Sequence, residues 1–185
     1  KRKIMHDKKI ENLKIKNEGY YKKAITDAMT GIYNRAFYEK YKNEIYPENS
    51  KYVGMICFDI DKFKSINDGY NHLVGGEVTK AFANIIKSSG RKEDYCIRIG
   101  GDEFVIIVEG PSLELVHSTA YTIGEKIRKE VEKKKFHIGN FKFSVTCSGG
   151  AYANKNTYDF EEIRRIADEA LYVSKEAGRN KITLK

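Results

Sequence analysis

The sequence predicts an α+β domain in which helices pack on one face of a mainly antiparallel sheet of about five strands. Two observations support this fold class. Apolar runs rich in β-branched residues alternate with segments whose apolar residues recur at helical spacing, and the elements follow the order β-α-β-β-α-β-α-β. That order is typical of a split β-α-β sandwich. The 185 residues suffice for one such domain preceded by a short N-terminal helix.

The first half of the chain is predicted to contain an N-terminal helix, a buried strand and a longer helix. Residues 1–25 are rich in Lys and Ile without Pro, which favours either a short coiled coil or an amphipathic helix lying on the domain. YVGMICFDID (residues 52–61) is an apolar run typical of a strand buried on both faces. A helix with one apolar side follows from about Gly75 to Ser88. The proposed coiled-coil seam consists of Ile10, Leu13, Asn17, Tyr20 and Ala24.

The second half is predicted to contain a hairpin, two helices and two further strands. The runs YCIRI and FVIIV flank GGDE (residues 100–103), which indicates a β-hairpin with a glycine-containing turn. Ser112 is placed to cap a long helix. FKFSVTCSGGA (residues 141–151) alternates like a single strand, and the last helix covers about residues 160–177 before Gly178. The run KITL closes the domain as a short strand.

The composition argues against a membrane span and favours a polyanionic partner. The formal net charge is +8, and no run approaches the roughly 20 apolar residues of a membrane helix. Cys57, Cys96 and Cys147 each fall in a predicted strand, so we expect buried, reduced thiols in a cytoplasmic domain. Because the chain does not begin with Met, we expect a piece of a longer protein. In that piece residues 1–25 are a linker and residues 26–185 the domain, and membrane attachment of the whole protein stays open.

Acidic residues gather where two predicted strands end. Asp59 ends the first strand, while Asp102 and Glu103 occupy the hairpin turn beside Gly100 and Gly101. If the two strands are neighbours, the carboxylates meet at one sheet edge and repel each other unless a cation lies between them. Oxygen ligands select Mg²⁺ or Mn²⁺, and a pair of such ions supports phosphoryl transfer. Each motif alone is also compatible with an exposed acidic turn.

Four blocks of sequence together resemble a known family. They are TDAMTGIYNRAF (residues 26–37), FDIDKFKSIND (residues 58–68), RIGGDEFVII (residues 98–107) and ADEALYVSKEAGRN (residues 167–180). In this order and spacing they resemble the GGDEF domain of diguanylate cyclases, over about residues 26–182. The resemblance implies the ferredoxin-like, palm-like fold of nucleotidyl cyclases. It also implies an enzyme that condenses two GTP molecules into cyclic di-GMP and releases pyrophosphate.

The resemblance assigns roles to individual residues. Two Mg²⁺ (or Mn²⁺) ions per active site would be held by Asp59, the carbonyl of Ile60, Asp102 and Glu103. The catalytic residues would be Asp59, Asp102 and Glu103, and Asp102 would help to deprotonate the attacking 3′-hydroxyl. The residues implied to contact the nucleotide are Phe63, Lys64, Asn67, His72, Gly76, Gly100, Gly101, Lys175 and Arg179.

Two of these nucleotide contacts are linked by their spacing. Lys175 and Arg179 are four residues apart, so they are expected to share a face of the last helix and clamp one triphosphate. Phe63 and Lys64 would contribute backbone groups to the same phosphates, and Asn67 would hydrogen-bond the guanine edge.

The resemblance also implies regulation and assembly. RKED (residues 91–94) resembles a product-inhibition site at which Arg91, Asp94 and Arg98 would bind cyclic di-GMP. Each domain would hold one GTP, so catalysis requires a homodimer, and the N-terminal helix would set the encounter under an upstream sensory domain. No nucleic-acid partner is expected, because the exposed aromatic pattern of an RNA-binding sheet is absent from the sequence.

The match departs from the family pattern at the base pocket. Gly76 stands where the family has an Asp that accepts hydrogen bonds from guanine, and Glu77 comes one residue later, about 100° around a helix. Three outcomes stay open. The domain is a GTP-selective cyclase relying on Asn67, a relaxed cyclase that also uses ATP and makes cyclic GMP-AMP or cyclic di-AMP, or a catalytically weak module that binds GTP or cyclic di-GMP.

Overall fold

The computed structural model describes residues 14, 16–49, 51–155 and 159–185. The first helix, α1, covers residues 16–24, and all of these residues are exposed, including Tyr20 at 70%. Tyr21 nevertheless contacts the domain, since the ammonium of Lys40 lies 4.5 Å from the centre of its ring. The choice between a coiled coil and an amphipathic helix on the domain stays a prediction. Ile10 and Leu13 of the proposed coiled-coil seam lie outside the described residues.

The remaining elements follow in chain order. The helices are α2 (Arg35–Lys40), continued by a π-helical turn (Tyr41–Ile45) and a 3₁₀ turn (Tyr46–Glu48), α3 (Phe63–Gly69), α4 (His72–Ser89), α5 (Leu113–Lys133) and α6 (Phe160–Glu176). The strands are β1 (Tyr52–Ile60), β2 (Tyr95–Gly100), β3 (Glu103–Gly110), β4 (Lys135–Ile138), β5 (Phe141–Ser144), β6 (Cys147–Lys155) and β7 (Ile182–Leu184).

The central sheet has five strands in the order β2-β3-β1-β6-β7. All its pairs are antiparallel except β6 with β7, which are parallel. The predicted α+β class and the hairpin of β2 and β3 are therefore confirmed, and β1 is the middle strand of the sheet. The predicted strand β1 is buried on both faces, since seven of its nine residues are buried.

The helices cover both faces of the sheet, so the prediction of helices on one face is wrong. On one face Ile56 and Phe58 of β1 pack with residues of α4 and α5 such as Phe82. On the other, Met55 and Cys57 pack with residues of α2 and α6. The physical reason lies in β1 itself, because a strand that is apolar on both sides needs a covering layer on each side.

Residues 141–151, predicted as a single strand, belong to two. Phe141–Ser144 pairs with β4 in a separate two-stranded sheet, and the central strand β6 starts only at Cys147. Regular alternation cannot reveal this change of partner, because both pieces are extended. Phe141 is 38% exposed, whereas Cys147 is fully buried, so the two ends of the run do not share one buried face.

Side-chain caps decide where two helices begin. Ser112 accepts a hydrogen bond from the amide of Leu115 at the start of α5, as predicted. Asn71 caps α4 by accepting from the amide of Val74 at 2.9 Å, so this helix begins at His72, before the predicted start at Gly75.

The three cysteines lie in strands of the central sheet, as expected from the sequence. The three cysteines are free and buried, and burial raises the pKa of each thiol. Among the helices described, none combines the length and apolar character that crossing a bilayer requires.

Candidate active site

The acidic residues predicted from the two strand ends do meet at one edge of the sheet. Asp59 is paired with Glu103 in the antiparallel register of β1 and β3. Asp102 lies in the turn between β2 and β3, next to Gly101, whose φ of +50° favours glycine. The register therefore places the side chains of the FDID and GGDE motifs at the same edge.

Asp59 is in an environment that disfavours its charge. Burial, and next the adjacent carboxyl of Asp102, raise the pKa of Asp59 to about 6, although Lys175 opposes the shift. The ammonium of Lys175 contacts Oδ2 of Asp59. Oδ1 is buried and has no hydrogen-bond partner among the described residues. A buried carboxylate oxygen without a partner beside a second carboxyl is a site that a cation would stabilise.

The donor set fits a magnesium-type ion. Asp59, Asp102 and Glu103 offer only oxygen ligands, and the carbonyl of Ile60 follows directly. Within the described residues no three acidic, histidine or cysteine side chains already surround a common point. An ion here would therefore complete its coordination with water or substrate oxygens, which is how Mg²⁺ usually binds beside phosphates.

The segment after β1 presents backbone amides beside this edge. Lys62 has a φ of 57°, and α3 begins at Phe63 with no side chain capping its first amides. Uncapped amides at a helix start can donate hydrogen bonds to an anion. This geometry is consistent with the predicted role of the backbone of Phe63 and Lys64.

Lys175 and Arg179 do not share a helix face, and that prediction is wrong. Helix α6 ends at Glu176, whereas Arg179 lies beyond it with a φ of 65°. The reason is the reversal at Gly178, whose φ of +101° ends the helix before Arg179. Lys175 points at the acidic edge through its contact with Asp59, and Arg179 is carried by the loop that leads to β7.

Two glycines of the predicted base pocket differ in the space around them. A Cβ on Gly75 would lie 1.9 Å from Oδ1 of Asn67, so the Asn67 side chain packs directly over this position. A Cβ on Gly76 would meet no atom within 4 Å. Glu77 is exposed and pairs with Lys80 at 2.8 Å. His72 is the exposed first residue of α4.

Asp61 is a functional candidate that the sequence analysis missed. It is 7% exposed and accepts hydrogen bonds from the hydroxyls of Thr146 and Ser148, both at 2.7 Å. It also accepts from the amide of Asn180 at 3.1 Å. Asp61 thus joins the β1–α3 turn to the loop that carries Arg179. In the sequence, Asp61 is marked only by being the second acidic residue of the FDID motif.

We predict that Asp61→Asn lowers the free energy of unfolding by about 2 kcal/mol, because hydrogen bonds to a buried charge are lost. Since the loop carrying Arg179 is loosened, the KM for GTP should rise more than kcat falls. Urea unfolding and steady-state kinetics measure the two effects. Asp68→Asn, which changes an exposed carboxyl nearby, is the stability control, expected within about 0.5 kcal/mol of the unchanged chain. An Asp61 variant as stable as this control would contradict the prediction.

Within the RKED motif, Arg91 and Asp94 pair with each other. The carboxylate of Asp94 is fully buried and accepts from the guanidinium of Arg91 at 2.7 Å and from the Arg91 amide at 2.7 Å. Beside it lies a surface cavity of about 820 Å³ with the basic side chains of Lys51, Lys87 and Lys92 in its wall. The cavity extends to the end of α1.

Arg98, predicted to join this cluster, lies elsewhere. Its guanidinium donates to the carbonyl of Gly101 at 2.8 Å and contacts Asp27 at 3.2 Å. Those contacts hold the side chain at the acidic turn, so the structure does not bring it together with Arg91 and Asp94. Spacing along β2 could not show which way the side chain points.

The fold and these side chains define a palm-like α+β domain whose sheet edge gathers carboxylates beside a lysine and an uncapped helix start. These features are typical of enzymes that transfer nucleotidyl groups. The family model described as "Diguanylate cyclase, GGDEF domain" matches residues 24–181, and the chain belongs to the GGDEF family.

Relatives agree with this assignment. The chain is 38% identical over 160 residues to diguanylate cyclase DgcS of Shewanella oneidensis, covering 85% of this chain and 51% of that protein. It is 36% identical over 179 residues to diguanylate cyclase A of Treponema denticola, covering 92% and 47%. The chain thus spans about half the length of these two relatives.

Solved structures show the same fold. The coiled coil and GGDEF domain of DgcB from Caulobacter crescentus, in complex with c-di-GMP, matches with a TM-score of 0.85 at 26% identity, covering 100% of this chain and 97% of that one. The active GGEEF domain of a diguanylate cyclase from Vibrio cholerae matches with a TM-score of 0.64 at 30% identity, covering 81% and 90%.

Proposed function

We propose that this domain condenses two GTP molecules into cyclic di-GMP with release of two pyrophosphates. The observation that carries the proposal is the acidic edge, where Asp59 faces Glu103 across the strands and keeps a buried oxygen without a partner. The diguanylate cyclase relatives support this activity over the ATP-using and catalytically weak alternatives.

Each part of the site has a distinct task in this reaction. Asp59, Asp102, Glu103 and the Ile60 carbonyl would hold the magnesium ions on which GGDEF enzymes generally depend. When bound, these ions neutralise phosphate charge and acidify the attacking 3′-hydroxyl. Asp102 would accept the proton of that hydroxyl. The amides of Phe63 and Lys64, with Lys175 and Arg179, would hold the β- and γ-phosphates.

Lys175 has two successive partners in this proposal. Without nucleotide it neutralises part of the charge of Asp59. With a metal–triphosphate complex in the site, its ammonium would turn to the phosphates and leave Asp59 to the metal. Lys175 would therefore pair with Asp59 when the site is empty and with the phosphates when nucleotide is bound.

Catalysis would need two domains. Each holds one GTP, so a 3′-hydroxyl reaches an α-phosphate only when two sites face each other, which is a matter of proximity and orientation. The exposed helix α1 would set that encounter, under an upstream sensory domain in the longer protein.

Product would also regulate the domain. Arg91 and Asp94 are proposed to bind cyclic di-GMP, with the lysines of the neighbouring cavity attracting its phosphates. Because Asp94 is already paired with Arg91, guanine recognition would require this ion pair to open.

The test is incubation with Mg²⁺ and GTP, ATP or an equal mixture, with products identified by mass spectrometry. We expect cyclic di-GMP both from GTP alone and from the mixture. The rate of its formation should fall when the protein is diluted and when residues 1–25 are deleted. Added cyclic di-GMP should also lower this rate. Bound GTP without any product at high protein concentration would contradict the proposed function. Adenine-containing dinucleotides would show a relaxed base pocket.

A further inference from the structure

The side chain of Arg98 is hydrogen-bonded to the backbone of the turn that carries Asp102. Its side chain is only 14% exposed, and it donates two hydrogen bonds to the carbonyl of Gly101, from Nε at 3.0 Å and from Nη2 at 2.8 Å. Gly101 immediately precedes Asp102, and the pairing of β2 with β3 shifts register between Arg98 and Gly100. Regular strand pairing therefore does not fix this turn, and the guanidinium supplies the missing restraint.

The same guanidinium is held from its other side by Asp27. Nη1 lies 3.2 Å from Oδ1 and 3.4 Å from Oδ2 of that carboxylate. Asp27 is itself fixed, because its Oδ1 accepts from the amide of Thr30 at 2.9 Å and from the Thr30 hydroxyl at 2.6 Å. Because the planar guanidinium of Arg98 has Gly101 on one side and Asp27 on the other, its rotation is restricted.

Asp27 belongs to the segment that follows α1, and backbone hydrogen bonds join this segment to β2. The amide of Tyr33 donates to the carbonyl of Cys96 at 3.0 Å, and the amide of Arg98 donates to the carbonyl of Tyr33 at 2.8 Å. The side chain of Asn34 donates to the carbonyl of Ala24, the last residue of α1, at 2.8 Å. These hydrogen bonds, joined through the Tyr33–Asn34 backbone and through Arg98 itself, thus connect the end of α1 to the turn that carries Asp102.

We infer that Arg98 is a positioning residue, which fixes the Gly101–Asp102 turn in its catalytic geometry and is braced by Asp27 in the segment after α1. The inference rests on the proposed cyclase function and adds a residue that touches neither nucleotide nor metal. It also replaces the product-inhibition role predicted for Arg98 from the sequence.

Loss of Arg98 should affect turnover much more than nucleotide binding. Without the guanidinium, the carbonyl of Gly101 loses both side-chain donors and the turn is free to move, so Asp102 is misplaced. A displacement of about 1 Å in a catalytic group can cost about 100-fold in rate. The predicted β- and γ-phosphate contacts of Phe63, Lys64, Lys175 and Arg179 lie on other segments, and only Gly100 and Gly101 of the predicted nucleotide contacts lie in this turn. The KM for GTP should therefore change by no more than about 3-fold, and the Mg²⁺ concentration for half-maximal rate should rise.

Kinetics and hydrogen exchange on the complete chain test this inference. Arg98→Ala is expected to reduce kcat about 100-fold, Asp27→Asn to produce a smaller loss of the same kind, and Arg98→Lys to restore part of the rate through one remaining donor. Amide exchange over residues 99–104 should accelerate in Arg98→Ala and Asp27→Asn. Arg165→Ala, which removes an exposed arginine paired with Glu162 and Glu169 on α6, is the matched control and should leave both readouts unchanged.

The outcomes separate this inference from the proposed function. A wild-type chain that forms no product contradicts the cyclase proposal, while the exchange rates still report whether Arg98 holds the turn. Unchanged exchange in Arg98→Ala, or an unchanged kcat together with relief of inhibition by cyclic di-GMP, would overturn the inference. If Arg98→Ala fails to fold, Arg98→Lys and Asp27→Asn provide the same comparison.

Discussion

Replacing Asp59 with Asn is expected to reduce cyclic di-GMP formation by about 1,000-fold or more, the largest effect predicted for a single side chain here. The substitution leaves the shape of the strand end intact but removes the charge that a cation needs. It also converts a buried oxygen without a partner into part of a neutral amide. Lys175 would lose its ion-pair partner, and Asp102 would lose the neighbour with which it would share the metal.

Product formation at saturating GTP and Mg²⁺, followed over protein concentration, measures this loss. Asp168→Asn is the matched control, because it removes the charge of a half-exposed carboxylate on α6 that pairs with Arg164. The control should keep its rate within about twofold, since it touches no reacting group. An Asp59 variant with even a tenth of the original rate would show that this carboxylate is dispensable, and the metal assignment would have to move to other residues.

The pH dependence of the unfolding free energy is a second measurement that distinguishes the Asn variant from the unchanged chain. In the metal-free domain, burial and the neighbouring Asp102 raise the pKa of Asp59 from 3.8 to about 6, so the folded state binds this proton more tightly than the unfolded chain does. The contribution of this carboxyl to stability is therefore fully present below pH 3.8 and is lost as the pH rises to about 6. Asp59→Asn should make the fall in unfolding free energy over this window shallower. An identical slope in both proteins would contradict the raised pKa.

Sequence patterns were sufficient for most of the central sheet because its strands are locally unambiguous. The run that forms β1 stops at its acids, and the GGDE turn separates two short apolar strands, so the meeting of Asp59 with Glu103 follows once the strands are neighbours. The split of residues 141–151 could not be seen in the same way. Its two strands differ only in their partners, and partner choice depends on contacts that are distant in sequence.

The orientation of side chains at the site was less predictable than their location. Four-residue spacing suggested one helix face for Lys175 and Arg179, but Gly178 reverses the chain between them. Arg98 lies at the predicted place on β2 yet points to the catalytic turn and Asp27. Asp61 was not singled out in the sequence, because its hydrogen-bond donors Thr146 and Ser148 are more than 80 residues away along the chain. The chain reversal at Gly178 is local, whereas the orientations of Arg98 and Asp61 depend on contacts with segments that lie far apart in the chain.

Gly76→Asp is expected to increase the preference for GTP over ATP by about 10- to 100-fold, because it adds a carboxylate that accepts hydrogen bonds from guanine but not from adenine. The position has room for the side chain, since a Cβ there meets no atom within 4 Å and the backbone is helical. Replacing a glycine within a helix also removes a local penalty of a few tenths of a kcal/mol. The substitution should therefore cost no stability, unlike a change at Gly75, where Asn67 fills the space.

The preference is measured as the ratio of kcat/KM for GTP to that for ATP, together with the product mixture when both nucleotides are present. Gly76→Ala is the matched control, because it adds the Cβ and the helix propensity without the acceptor. If the Asp variant alone gains preference, the missing carboxylate limits guanine selection in this domain, and Asn67 carries what selection remains. If Ala and Asp raise the ratio equally, a more rigid helix start is the cause. No change in either variant would mean that the base does not lie against this part of α4, and the pocket would then have to be assigned to other residues.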